Sequence, residues 1–85
     1  MPNESNQARV ERLVRKYART VPGGAPLALD LSLREQLGIE SLALVSLMVR
    51  LGDELGVDVV EAGVQVGVAK TVGDLVKIAD SLSQA

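Results

Sequence analysis

The chain of 85 residues has no cysteine, histidine, tryptophan or phenylalanine, and Tyr17 is its single aromatic residue. Without cysteine there is no disulfide, no thiol nucleophile and no cysteine-held metal, and the cytoplasm is the expected compartment. Without histidine, the usual general base near neutral pH and the commonest metal ligand are both missing. The chain is therefore not expected to be an enzyme, to contain catalytic residues of its own or to bind a metal. No uninterrupted apolar run approaches the roughly 20 residues of a membrane span. The opening MPNESNQARVERL is polar where a signal peptide would be apolar.

The apolar residues that remain are almost all Leu, Val, Ile and Ala, which points to a core built from helix faces. A chain of this length makes one small domain, 1–85, that buries roughly 60% of its unfolded surface. The net charge is -2 and the pI about 5.0. The charge is uneven: residues 1–20 hold five basic and two acidic groups, and the remainder four basic and nine acidic. A basic end suits nucleic acid, but the acidic pI and the lack of stacking aromatics argue against it.

Helical spacing is clear in three places. Val10, Leu13, Val14, Tyr17 and Ala18 line one face of a first helix at about 10–20, with Asn3 or Ser5 as its cap. Its opposite face carries Arg9, Arg12, Arg15, Lys16 and Arg19, read as a solvated face on a core-packed helix rather than a membrane or acidic-partner surface. A second helix at 41–55 buries Leu44, Leu47, Met48, Leu51 and Leu55 and turns Ala43, Ser46, Arg50 and Asp53 to solvent, leaving Leu42 and Val49 on the polar edge. Within it Gly52 costs about 1 kcal/mol against Ala; it marks either close packing or a cleft near Ser41. A third helix at 71–83 opens with Thr71 and Asp74 in a capping-box spacing and buries Leu75, Ile78, Ala79 and Leu82.

Between the first two helices, Leu27, Leu29, Leu31 and Leu33 alternate like a strand with no evident partner. They are read as an extended loop pinned by its leucines, with a helical turn near 33–37. The valine-rich 58–68 is either a short irregular helix or an apolar loop. The fold class is all-α, a three- to four-helix bundle.

Ser41 stands where the loop Leu37-Gly38-Ile39-Glu40 meets the second helix. Its hydroxyl is a weak nucleophile without a base, and neither Lys70 nor Lys77 stands in a recognisable serine–lysine context. Two uses remain. A helix-capping role is the commonest for such a serine. Modification by another enzyme is the other, since a phosphate at the first turn of a helix is favoured by about 0.3–1 kcal/mol.

Leu37-Gly38, then Ser41-Leu42 opening an amphipathic helix that ends in RLGDELGVDV, resembles the acyl carrier and peptidyl carrier protein family over nearly the whole chain. The resemblance implies a helical bundle in which Ser41 receives 4′-phosphopantetheine from coenzyme A through a separate phosphopantetheinyl transferase. The arm's thiol then holds acyl groups as thioesters for acyl-loading, elongating and acyl-transferring enzymes. It also implies that partners read the serine-led helix, here Glu40, Leu42, Ser46, Val49, Arg50 and Asp53. Glu40 stands where the family usually has Asp, and Ala43, Ser46 and Arg50 where carboxylates are frequent. The basic first helix and this muted second helix point to a specialised carrier, in polyketide, nonribosomal peptide or specialised lipid synthesis rather than housekeeping fatty acid synthesis, and it is expected to be freestanding and monomeric. The competing expectation is an unmodified helical module that docks a partner through Leu42 and Val49. A hydrolase using Ser41 is disfavoured by the missing histidine.

Overall fold

Among the described residues the chain forms three α-helices, α1 (Asn6–Tyr17), α2 (Ser41–Leu55) and α3 (Val72–Ser83), with one 3₁₀ turn at Val66–Val68. The computed structural model describes residues 5–21, 27–64 and 66–83. All three helices pack on one another, giving the small all-α bundle that the aliphatic composition predicts.

α1 is displaced from the expected 10–20. Ser5 starts it, its hydroxyl accepting from the Ala8 amide at 3.1 Å; the other candidate cap, Asn3, lies outside the described residues. The helix ends at Tyr17 because Ala18 turns to extended backbone (φ -71, ψ 141). The next two amides, of Arg19 and Thr20, then donate to Leu37 O at 2.9 and 3.4 Å. Val10, Leu13 and Val14 are buried, and Tyr17 and Ala18 are half-buried against them.

The basic face of α1 is engaged rather than merely solvated. Arg9 Nε lies 3.4 Å from Glu54 Oε1, and Arg12 pairs with the same carboxylate. Arg15 reaches Glu11 at 3.8 Å. One acidic residue near the end of α2 thus ties it to α1.

α2 buries Leu44, Leu47, Met48 and Leu51 as its periodicity predicts, with Leu55 and Ala43 half-buried. Ala43, expected in solvent, packs against the core instead. Gly52 is buried, and a Cβ there would lie 2.5 Å from Val57 O and 2.7 Å from Val59 Cγ1. Close packing of the following turn is therefore the reason for the glycine. In that turn Asp58 Oδ1 accepts from the Val60 and Glu61 amides and Val59 is buried.

α3 begins with a reciprocal cap. The Asp74 amide donates to Thr71 Oγ1 at 3.2 Å, while Asp74 Oδ2 accepts from the Lys70 and Thr71 amides at 2.9 and 3.2 Å. The Lys70 amide bond is the largest cause holding the Asp74 carboxyl below its ordinary value of 3.8. Partial burial opposes it, and the Thr71 amide, the Thr71 hydroxyl and the charge of Lys77 add to it.

The loop between α1 and α2 does find a backbone partner. Ser32 and Thr71 form an antiparallel bridge, Leu33 N–H donates to Lys70 O, and the Val72 and Gly73 amides donate to Leu31 O and Leu29 O. Leu27, Leu33 and Leu37 are buried, but Leu29 is exposed. The segment is held by this one bridge and a few backbone bonds, with turns at 29–30 and over 33–36, and only part of its leucines pin it.

Candidate functional site

The junction before α2 is built from alternate burial. Leu37 and Ile39 are fully buried on either side of Gly38, and the Ile39 amide donates to Leu33 O at 2.7 Å. Gly38 has φ +68, and a Cβ there would meet Arg19 Cβ at 3.0 Å. Only glycine takes that backbone freely and leaves room for the aliphatic stem of Arg19. With Ile39 anchored inward, Glu40 and Ser41 emerge exposed.

Glu40 is the residue preceding the first turn, and its side chain makes no capping bond. It faces Arg19 instead, Oε2 lying 3.5 Å from Nη1. Ser41 is the first helical residue. Its hydroxyl has no hydrogen-bond partner among the described residues, so Ser41 is not a cap. The first helical bond is Leu44 N–H to Glu40 O at 2.8 Å. The amides of Ser41, Leu42 and Ala43 therefore lack intrahelical acceptors. No acidic residue stands in the first turn, and the Glu40 carboxylate just before it turns to Arg19 and bonds to none of these donors.

Beside Ser41 an open cleft of about 570 Å³ is lined by Leu33, Ile39, Leu44, Ala69 and Lys70. Lys70 is thus nearer to Ser41 than their separation in sequence suggests, but it makes no hydrogen bond to it. Among the described residues no base hydrogen-bonds to the Ser41 hydroxyl, and no cluster of acids is fit to hold a metal.

The residues expected to face partners all lie at the surface. Leu42 is 81% exposed and Val49 44%, with Glu40, Ser46, Arg50 and Asp53 also exposed. The sequence reading missed Val45, exposed by 42%, and Val60, exposed by 80%. Leu42, Val45 and Val49 stand at i, i+3 and i+7, a second apolar stripe whose spacing was available in the sequence. Val60 was not recoverable, because its neighbour Val59 is the one buried. Val49, Asp53 and Val60 share a shallow depression of about 340 Å³ at the far end of α2. Among the described residues no helix is long and apolar enough to cross a membrane.

A family model described as the phosphopantetheine attachment site matches residues 10–79. No curated protein and no solved structure matches the chain.

Proposed function

The chain belongs to the phosphopantetheine attachment site family, and from that membership we propose that Ser41 is the residue that bears the arm. Members are carriers of covalent 4′-phosphopantetheine and do not act as enzymes. When bound, the group supplies a terminal thiol on which acyl groups are held as thioesters, the thiol that this chain, without cysteine, lacks.

The observation that carries the assignment is the free, exposed hydroxyl of Ser41 at the first helical position of α2. Ser41 Oγ forms the phosphodiester bond to the pantetheine phosphate of coenzyme A, the phosphoanhydride bond breaks, and adenosine 3′,5′-bisphosphate leaves. The serine proton passes to a base of the transferase, since among the described residues neither Glu40, turned to Arg19, nor Lys70 bonds to the hydroxyl. The residues fit the group: the unpaired first-turn amides suit a phosphodiester, and the open cleft leaves the arm room to leave or lie down.

The reading extends to a freestanding acyl or peptidyl carrier in the cytoplasm, serving polyketide, nonribosomal peptide or specialised lipid synthesis. Its partners are the transferase and the loading, elongating and transferring enzymes. They read Glu40, Leu42, Ser46, Val49, Arg50 and Asp53, and the observed stripe adds Val45. The sparse acid on this face supports a specialised pathway, because steering toward basic partners is weak.

Incubation with coenzyme A and a broad-specificity phosphopantetheinyl transferase is expected to add one phosphopantetheinyl mass, located at Ser41 by fragmentation and absent in Ser41→Ala. No gain in mass overturns the reading. The exposed Leu42, Val45 and Val49 would then favour an unmodified module that docks partners through this stripe.

A further inference from the structure

The cleft beside Ser41 carries two cations that nothing in the described structure uses. Arg34 lies on the turn that follows Leu33, and Lys70 just precedes Thr71. The backbone holds the two segments together, with Leu33 N–H donating to Lys70 O at 2.9 Å and Ser32 bridged to Thr71. Both residues line the cleft and both are exposed. Neither has an ion-pair partner among the described residues, whereas Arg9, Arg12, Arg15 and Arg19 each meet a carboxylate. Glu35 also lines the cleft, so two positive charges face one negative.

Beneath these charges the cleft is apolar. Leu33, Ile39, Leu44 and Ala69 are buried and form its floor. Its volume of about 570 Å³ falls in the range of roughly 300–1,000 Å³ typical of small-molecule sites. A phosphate on Ser41 is already served by the first-turn amides of α2, on a different element of the wall. The paired segments 31–34 and 69–72 thus offer a methylene-compatible floor with a second, separate anion-binding edge.

We propose that this cleft receives the carried group and that Arg34 and Lys70 recognise a carboxylate at its far end, so that the cargo is a dicarboxylic acyl chain. The proposal rests on the reading of Ser41 as the attachment residue. Charge-assisted hydrogen bonds from both cations would hold the carboxylate, while the intervening methylenes cover the floor.

The full chain is loaded by a broad-specificity transferase from glutaryl- and suberoyl-coenzyme A, and from their methyl-capped counterparts of equal length, pentanoyl- and octanoyl-coenzyme A. Intact mass first establishes loading at Ser41, and a failure there overturns the underlying reading together with this one. Amide hydrogen exchange is then followed at Ile39 and Leu44, which line the cleft and whose N–H groups donate to Leu33 O and Glu40 O. At least one dicarboxylic form is expected to exchange about tenfold more slowly than its methyl-capped counterpart, as a newly bonded charged group would give. In Arg34→Gln/Lys70→Gln that difference disappears while loading continues. Equal protection by all dicarboxylic and methyl-capped cargoes in the unsubstituted chain overturns the proposal. So does a loss of protection in the double variant that is already complete with the unacylated arm, which would assign the two cations to the arm's phosphate.

Discussion

Arg19 and Glu40 meet at 3.5 Å immediately before Ser41, and both side chains are more exposed than buried. Such a pair contributes at most about 1 kcal/mol to stability. If Ser41 is the attachment residue, the pair bears on recognition, because it occupies the carboxylate next to that serine in the chain. Arg19→Gln keeps the carbons that lie over Gly38 and removes the charge. The expected outcome is a urea unfolding curve shifted by less than about 1 kcal/mol and a transferase kcat/KM raised by up to about fivefold. An unchanged rate in a normally folded variant would show that the pair has no part in recognition. The sequence displayed Glu40 as an acid beside a serine but hid Arg19, since Leu37 O captures the amides after α1 and thereby carries that side chain across to the junction. The serine itself was legible in position and ambiguous in role. The absence of a capping bond from its hydroxyl removes one of the two uses and leaves the other to the mass measurement.

At the scale of elements, α2 was readable because Leu44, Leu47, Met48 and Leu51 repeat at helical spacing and tertiary packing agrees with them. The loop over 27–39 was readable as a connection with a turn near 33–37, but its pairing was not, since a single bridge to Thr71 and a few backbone bonds leave no alternating partner for a sequence to display. Gly52 tests how tightly α2 and its following turn are joined. Alanine gains about 1 kcal/mol of helix propensity, but its methyl group collides with Val57 O, a backbone atom, at 2.5 Å. Displacing it costs about 1–3 kcal/mol, so Gly52→Ala is expected to lose roughly 1 kcal/mol in urea unfolding and to shift the Val59 methyl resonances. A gain in stability would mean that the turn yields freely. The start of α3 makes a different prediction. Asp74 has a folded pKa below its ordinary value of 3.8, so its contribution is complete above that value and is lost as pH falls through the lower folded pKa. Asp74→Asn is expected to be less stable at neutral pH and to show a shallower loss on acidification, measured by thermal unfolding across pH 6 to 2. An acid limb as steep as that of the unsubstituted chain would place the titration elsewhere.

The whole molecule divides into an aliphatic interior and a face that is apolar without being buried. The division could not be drawn from hydropathy alone: Leu42 and Leu47 are the same residue type on the same helix, yet Leu42 is 81% exposed and Leu47 is not exposed at all. The charges read as a basic end also resolve only at this scale, where Arg9 and Arg12 turn to Glu54 and join α1 to α2. A paired substitution separates interior from face. Leu47→Asp places a carboxylate without a partner among Leu44, Met48 and Leu51, at a cost of several kcal/mol. That is comparable with the total stability of a domain of this size, about 5–15 kcal/mol. Loss of the helical circular-dichroism signal and of any cooperative melt is expected. Leu42→Asp leaves the melt nearly unchanged, because its side chain is already in water, and lowers the rates at which partner enzymes load or unload the carrier. If Leu42→Asp unfolded the chain, the stripe through Leu42, Val45 and Val49 would belong to the core. If it folded and every partner rate stayed the same, the stripe would not be the surface that partners read.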